Sequence, residues 1–266
     1  MEEPIEFVDP SGHRVSAVLA TPDRAGTHIA VLCHGFLSRK DSTTNKALTH
    51  SLTRRGIATL RFDFFGHGES EGPFHALRTA VGLDQALAAV ELVKARGYRR
   101  IALVGSSFGG LVSILAAAEL ADRQRRSVHQ THDLACLALK CPVVDFGEEL
   151  RLELRETGME QWRQTDSIPD LHGGPSRIQL DFAFYEDCLK RIAYEPARLI
   201  TIPTLIVQGD CDEYVPLHQS RLLLDALAGP KRLEMIAGAD HQFTNASDFQ
   251  RMLGLVSDWV EQYLTA

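Results

Sequence analysis

Gly105-Ser106-Ser107-Phe108-Gly109-Gly110 decides how this chain is read. It follows Arg100-Ile101-Ala102-Leu103-Val104, a short apolar run of the kind a buried strand leaves in a sequence. It precedes residues 111–120, which are apolar or small except for Ser113 and Glu119 and read as a buried helix. A strand that turns sharply into a helix lifts the side chain at the turn clear of the sheet. Small residues at 105 and 109 let the strand and helix pass each other closely. The helix N-terminus aims free amides, and the positive end of its dipole, at any negative charge that develops beside Ser107. Glycine-rich turns also occur without chemistry, so the loops elsewhere in the chain must decide whether Ser107 is a nucleophile.

Upstream, residues 4–9 and 14–20 alternate apolar and polar around a Pro-Ser-Gly turn, the pattern of an antiparallel hairpin. Ile29 to Cys33 is a continuous apolar strand that ends at His34-Gly35-Phe36. A helix over 44–55, a strand over 57–62, a glycine-dense loop over 63–72 and a helix over 79–96 follow. Downstream, the spacing predicts strands at 134–140, 204–208 and 232–236, and helices at 218–228 and 246–264. This alternation predicts an α/β fold, with a mostly parallel central sheet of about eight strands and helices on both faces. Sites in such sheets lie outside the carboxyl ends of the strands. His34, Asp63 and Ser107 each follow a strand and belong at that edge.

Residues 143–196 break the rhythm. Phe146 to Gln164 and Glu186 to Ala193 read as helices, and residues 167–170 and 173–176 as turns. We read 143–196 as a lid inserted into a core formed by 1–142 and 197–266. Phe146, Trp162, Phe182, Phe184 and Tyr185 could line an apolar pocket or simply pack together. The substrate-facing residues expected here are Gly35, Asp145, Trp162, Phe184 and Tyr185.

Composition narrows the function. The chain has 266 residues, 44% hydrophobic and 24% charged, which suits one large globular domain. The net charge of -7 and the lack of a basic stripe argue against nucleic acid as a partner. Five cysteines at irregular spacings match no zinc pattern, and no metal or cofactor is expected. The first residues lack the basic and apolar regions of a secretion signal, and no apolar run is long enough to span a bilayer. The expectation is a soluble cytoplasmic protein with no stable membrane insertion, acting on a small molecule. A homodimer is left open.

A serine hydroxyl is a weak nucleophile and needs a base within hydrogen-bond reach, steadied by a carboxylate. His241 is the one histidine between the last strand and the last helix, and it is the favoured base. His13, His28, His50, His129, His132 and His172 read as solvated, and His34 and His67 as structural or oxyanion-loop residues. Asp212 is the favoured acid over Asp210, Glu213 and Asp240. Asp145, just past the sixth strand, is the more serious alternative. The backbone amides of Phe108 and Phe36 are placed to stabilise an oxyanion.

Taken together, these residues are recognisable. His34-Gly35-Phe36, the 61–72 stretch, Gly105-x-Ser107-x-Gly109-Gly110, Gly209-x-x-Asp212-x-x-Val215-Pro216 and Gly238-Ala239-Asp240-His241 resemble serine α/β-hydrolases. Within that superfamily the chain resembles the small bacterial feruloyl and cinnamoyl esterases over roughly residues 28–120 and 200–264. The resemblance implies a triad of Ser107, Asp212 and His241, oxyanion amides from Phe36 and Phe108, and a lid that shapes the substrate pocket. It implies a carboxylesterase working without a cofactor. Those esterases usually carry histidine where this chain has Ser106, and glutamine where it has Phe108. Gly-Ser-Ser-x-Gly-Gly also occurs in relatives similar to acyl-protein thioesterases, so thioester or peptide hydrolysis on the same triad is the alternative. A non-catalytic ligand receptor is a further one.

Overall fold

The structure is a computed structural model that describes residues 1–23, 26–126, 134–169 and 176–266. The chain opens with β1 (Glu2–Val8) and β2 (Arg14–Ala20), paired antiparallel as a hairpin. Next come β3 (His28–Cys33), α1 (Thr43–Arg54), β4 (Ala58–Phe62), α2 (Thr79–Ala95), β5 (Arg100–Ser106), α3 (Phe108–Arg126) and β6 (Leu134–Lys140). After an excursion from the sheet, β9 (Thr204–Gly209), α7 (Leu217–Ala226), β10 (Lys231–Ile236) and α8 (Ala246–Thr265) complete the fold.

The eight strands lie in the order β1-β2-β4-β3-β5-β6-β9-β10. The β2–β4 pair is also antiparallel, and from β4 to β10 every neighbour is parallel. Side chains that alternate along each strand feed two cores. Ile29, Val31, Ile101 and Leu103 face one core with α2 and α3. Ala30, Leu32, Ala102 and Val104 face the other, where Leu48 and Leu52 of α1 meet Met252, Val256 and Val260 of α8. Both faces of the inner strands are therefore covered, which is why these strands read as unbroken apolar runs. Each fully buried aliphatic side chain contributes about 1.5–3 kcal/mol.

The excursion holds α4 (Phe146–Thr165), β7 (Ser167–Pro169), β8 (Arg177–Gln179), α5 (Ala183–Cys188) and α6 (Tyr194–Ala197). Arg155, at φ 54 and ψ 178, breaks α4 into two pieces. Two expectations are corrected here. Residues 167–169 are not a turn. They form a short strand paired with β8, held by Arg177, whose Nε donates to Ser167 Oγ at 2.7 Å. Three residues are too few to show a strand's alternation, and Pro169 and Asp170 read as turn residues. The helix expected over 186–193 instead begins at Ala183 and ends at Cys188, with a second short helix from Tyr194. His129, His132, His172 and most of the expected turn at 173–176 lie outside the described residues. Among the described residues, no helix is long and apolar enough to cross a membrane.

Candidate active site

Ser107 sits where β5 turns into α3, at φ 52. A non-glycine residue held there costs roughly 1–3 kcal/mol, so the surroundings must enforce it. They do so through the backbone: Ser107 N donates to Lys140 O at 3.0 Å, and Ser107 O accepts from Gly110 N at 2.8 Å. The glycines are needed for close approach. A Cβ at Gly105 would lie 2.4 Å from Gly109 O, and one at Gly109 would lie 2.2 Å from Cys33 O. Gly35 brings the loop after β3 alongside: a Cβ there would be 3.4 Å from Ser107 Cβ and 4.0 Å from its Oγ. Among the described residues, the amides of Phe36 and Phe108 donate no hydrogen bond.

His241, in the loop after β10, is 5% exposed. Its Nδ1 lies 2.9 and 3.0 Å from the two Asp212 oxygens, which assigns the proton to Nδ1 and leaves Nε2 with its lone pair. Asp212 Oδ1 also accepts from the amides of Tyr214 (3.0 Å) and Val215 (2.9 Å). Burial pushes the Asp212 carboxyl up, but the hydrogen bond and electrostatic pull of His241, followed by the Val215 amide, outweigh it and hold it below the usual range.

The competing acids hold the same loop by other means. Asp210 accepts from Gly238 N at 2.6 Å, and Glu213 from His241 N at 3.1 Å. Asp240 accepts from Thr244 N at 2.9 Å. Asp145 caps α4, accepting from Glu148 N at 2.8 Å, and no hydrogen bond joins it to His241 among the described residues.

Ser107 and His241 line one cleft of about 1140 Å³, together with Gly35, Phe36, Lys140 and Glu149. Lys140 spans the two: its carbonyl takes the Ser107 amide, and its Nζ donates to His241 O at 2.7 Å. Glu149, from the first turn of α4, has a buried Oε2 with no partner. Burial, reinforced by the nearby Asp212 and Glu153 charges, pushes its carboxyl well up. Sequence reasoning gave no sign of either residue, because each is a lone charge whose surroundings come from distant segments.

The aromatic residues expected to line a pocket are placed otherwise. Trp162 is fully buried within the excursion, its Nε1 donating to Leu180 O at 2.5 Å and its ring packed on Phe182 and Tyr185. Phe184, also fully buried, stacks on Phe36 at 5.6 Å and meets Phe146 at 5.5 Å. The Tyr185 hydroxyl accepts from Arg151 at 2.8 Å. None of the three lines the cleft, and neither does Asp145. The rings fill the space between excursion and core, and the cleft opens instead toward the N-terminal ends of α1 and α8.

His34 is structural: Nδ1 donates to Gly35 O at 2.8 Å, and Nε2 accepts from Phe64 N at 3.0 Å. Burial, and then the facing His67, pushes its pKa well down and keeps it neutral. Asp63 is buried beneath the rim, accepting from Lys40 N (2.6 Å), Lys40 Nζ (2.7 Å) and Glu69 N (2.9 Å). This knot ties the loop after β3 to the loop after β4. A side chain at Gly68, where a Cβ would lie 2.2 Å from Asp63, would break it.

Cys141, Asp212 and His241 place donor atoms within 4.8 Å of one another, a spacing a metal ion could use. The chemistry does not fit. Burial pushes the Cys141 thiol far up, and it donates to Asp212, so it offers a proton where a metal needs a thiolate.

The profile of the alpha/beta hydrolase family matches residues 30–253. The monoacylglycerol lipase of Mycolicibacterium smegmatis is 24% identical over 97% of this chain and 96% of that protein. The mitochondrial palmitoyl-protein thioesterase ABHD10 of Rattus norvegicus is 23% identical over 87% of this chain and 74% of that protein. Ferulic acid-bound Est1E from Butyrivibrio proteoclasticus superposes with a TM-score of 0.79 at 23% identity, covering 98% of this chain and 100% of that one. At these identities the structural likeness speaks to the fold alone.

Proposed function

The chain belongs to the alpha/beta hydrolase family, and from that premise we propose that it is a serine hydrolase that cleaves carboxylic esters through an acyl-enzyme. Ser107 Oγ attacks the ester carbonyl while His241 Nε2 takes its proton. The amides of Phe36 and Phe108 receive the negative oxygen of the tetrahedral intermediate; removing one such donor typically costs about 3–4 kcal/mol. The intermediate collapses, the C–O bond breaks, and His241 returns the proton to the leaving alcohol. A water then gives its proton to His241 and its oxygen to the acyl carbon, releasing the acid and restoring Ser107. Asp212 keeps the imidazole in the right tautomer and stabilises the imidazolium. Residues 143–196 act as a cap that closes one side of the site.

The observation that carries this reading is His241, backed by Asp212 at 2.9 Å and standing on the wall of the same cleft as a serine held at φ 52. Stopped-flow hydrolysis of 4-nitrophenyl butyrate tests it. The expected trace is a nitrophenolate burst stoichiometric with enzyme, followed by slower turnover, with both phases lost in Ser107→Ala. Absence of turnover on every ester tried would count against it. The similarity to a palmitoyl-protein thioesterase favours thioesters as a second reading. Matched butyryl oxyesters and thioesters separate the two by their kcat/KM.

A further inference from the structure

The cleft does not end at the triad. It runs along the loop after β3 to the first turn of α1, where Ser42, Thr43, Thr44 and Asn45 form its wall. That turn contains no acidic residue. The Ser42 hydroxyl caps the Asn45 amide at 3.3 Å, while the amides of Thr43 and Thr44 donate no hydrogen bond among the described residues. Free amides and the positive dipole end at a helix start suit an anion.

A second, independent feature points the same way. The Asn45 side chain is 2% exposed, yet its Nδ2 has no hydrogen-bond partner. A buried amide left unpaired is destabilising, and an acceptor that reached Nδ2 would remove that cost.

Two cations of the wall, Arg39 and Lys140, make no ion pair among the described residues. Arg39 lines the cleft and has no ion-pair partner among the described residues. Lys140 is 5% exposed on the same wall. Its ammonium meets the His241 carbonyl at 2.7 Å and the Phe243 ring at 5.3 Å, with no carboxylate within 4.0 Å among the described residues. A buried cation without a counter-charge is costly. Asp240 feels the Lys140 charge but is engaged by the Thr244 amide at 2.9 Å, beyond ion-pair reach of the ammonium. Asp41 turns to Arg61 at 3.1 and 3.2 Å, a guanidinium it shares with Glu2 at 2.7 and 3.0 Å. Glu149 is held toward its neutral form by burial.

We propose that the α1 end of the cleft, with Arg39, the first-turn amides and Asn45, binds an anionic group carried by the substrate, a carboxylate or a phosphate. The preferred esters are then acidic ones, with the anion held at α1 while the ester carbonyl lies at Ser107. This rests on the ester-hydrolase reading and adds the substrate class.

The test compares mono-4-nitrophenyl glutarate with 4-nitrophenyl butyrate, and an acylated glycerol phosphate with the matching acylated glycerol. One acidic ester of the two pairs is expected to exceed its neutral partner in kcat/KM by roughly 10-fold or more, the size of a hydrogen-bonded charge contact. The pair that shows the preference identifies carboxylate or phosphate as the source. That ratio falls toward one in Arg39→Gln and in Asn45→Leu, and also with rising salt. Ratios near one in the wild type, or a preference that Arg39→Gln leaves intact, overturn the proposal. Calorimetry of the same esters on Ser107→Ala separates the two claims. Tighter binding of the acidic ester there, with no hydrolysis by the wild type, would remove the hydrolase reading and keep the anion site. Equal hydrolysis of acidic and neutral esters would do the reverse.

Discussion

The rim of the sheet and the excursion between β6 and β9 are held together by different forces. At the rim, short loops fix their chemistry through directional bonds to the backbone. Asp212 takes two amides and an imidazole, Asp210 and Glu213 hold the loop that carries His241, and Lys140 links His241 to the elbow. In the excursion, Phe146, Trp162, Phe182, Phe184 and Tyr185 pack ring on ring, and Phe36 and Phe108 extend that packing into the core. Hydrogen bonds set atoms to within tenths of an ångström, whereas apolar packing sets volume and stability. The first region is thus suited to chemistry. The second is suited to filling volume and adding stability.

This contrast predicts that rim substitutions cost rate and excursion substitutions cost stability. The largest effect is expected from Ser107→Ala, which should lower kcat for 4-nitrophenyl butyrate on the order of 10^6-fold with little change in Tm. Asp212→Asn should follow at roughly 10^4-fold in kcat, because the amide can no longer hold His241 in its tautomer. In the excursion, Phe184→Ala should cost about 3–5 kcal/mol in urea unfolding. Its kcat should fall far less than that of Asp212→Asn, and an equal loss would erase the distinction between the regions.

The smallest effect lies at the seam, where Glu149 of the excursion enters the cleft. Burial raises its carboxyl above the ordinary value of 4.5, so from that pH upward the folded chain holds a proton the unfolded chain has lost. Stability must therefore fall as pH rises through this window. Glu149→Gln removes the titration. Its Tm should exceed that of the wild type by a few degrees at pH 8, with the gap shrinking toward pH 5. A gap that widens toward acid would mean that Glu149 is ionised in the folded state.

The sequence made the rim more legible than the excursion, for physical reasons. Ser107 stands in a turn whose glycines are demanded by contacts under 3 Å, and such demands leave a local motif. Asp212 and His241 each lie in the short loop after a strand, so the strand pattern carries both loops to one edge. Lys140, Cys141 and Glu149 have no local signature. Lys140 ends an apolar strand, Cys141 reads as a small core residue, and Glu149 is one acid among several in α4; their partners lie far off in the chain. The aromatic residues at 162, 184 and 185 were ambiguous from the start, since a ring facing substrate and a ring facing the core leave the same pattern. The Lys40–Asp63–Glu69 knot was likewise invisible, being made by two loops that meet only in the folded state.

Covalent trapping tests the central claim most directly, that Ser107 is a hydroxyl made nucleophilic by His241 and Asp212. A fluorophosphonate incubated with the wild type at neutral pH should add one phosphonyl mass per chain, mapped by peptide sequencing to Ser107. The adduct should be absent in Ser107→Ala and slowed by orders of magnitude in His241→Ala. An adduct on Ser106, or labelling at wild-type speed without His241, would contradict the account.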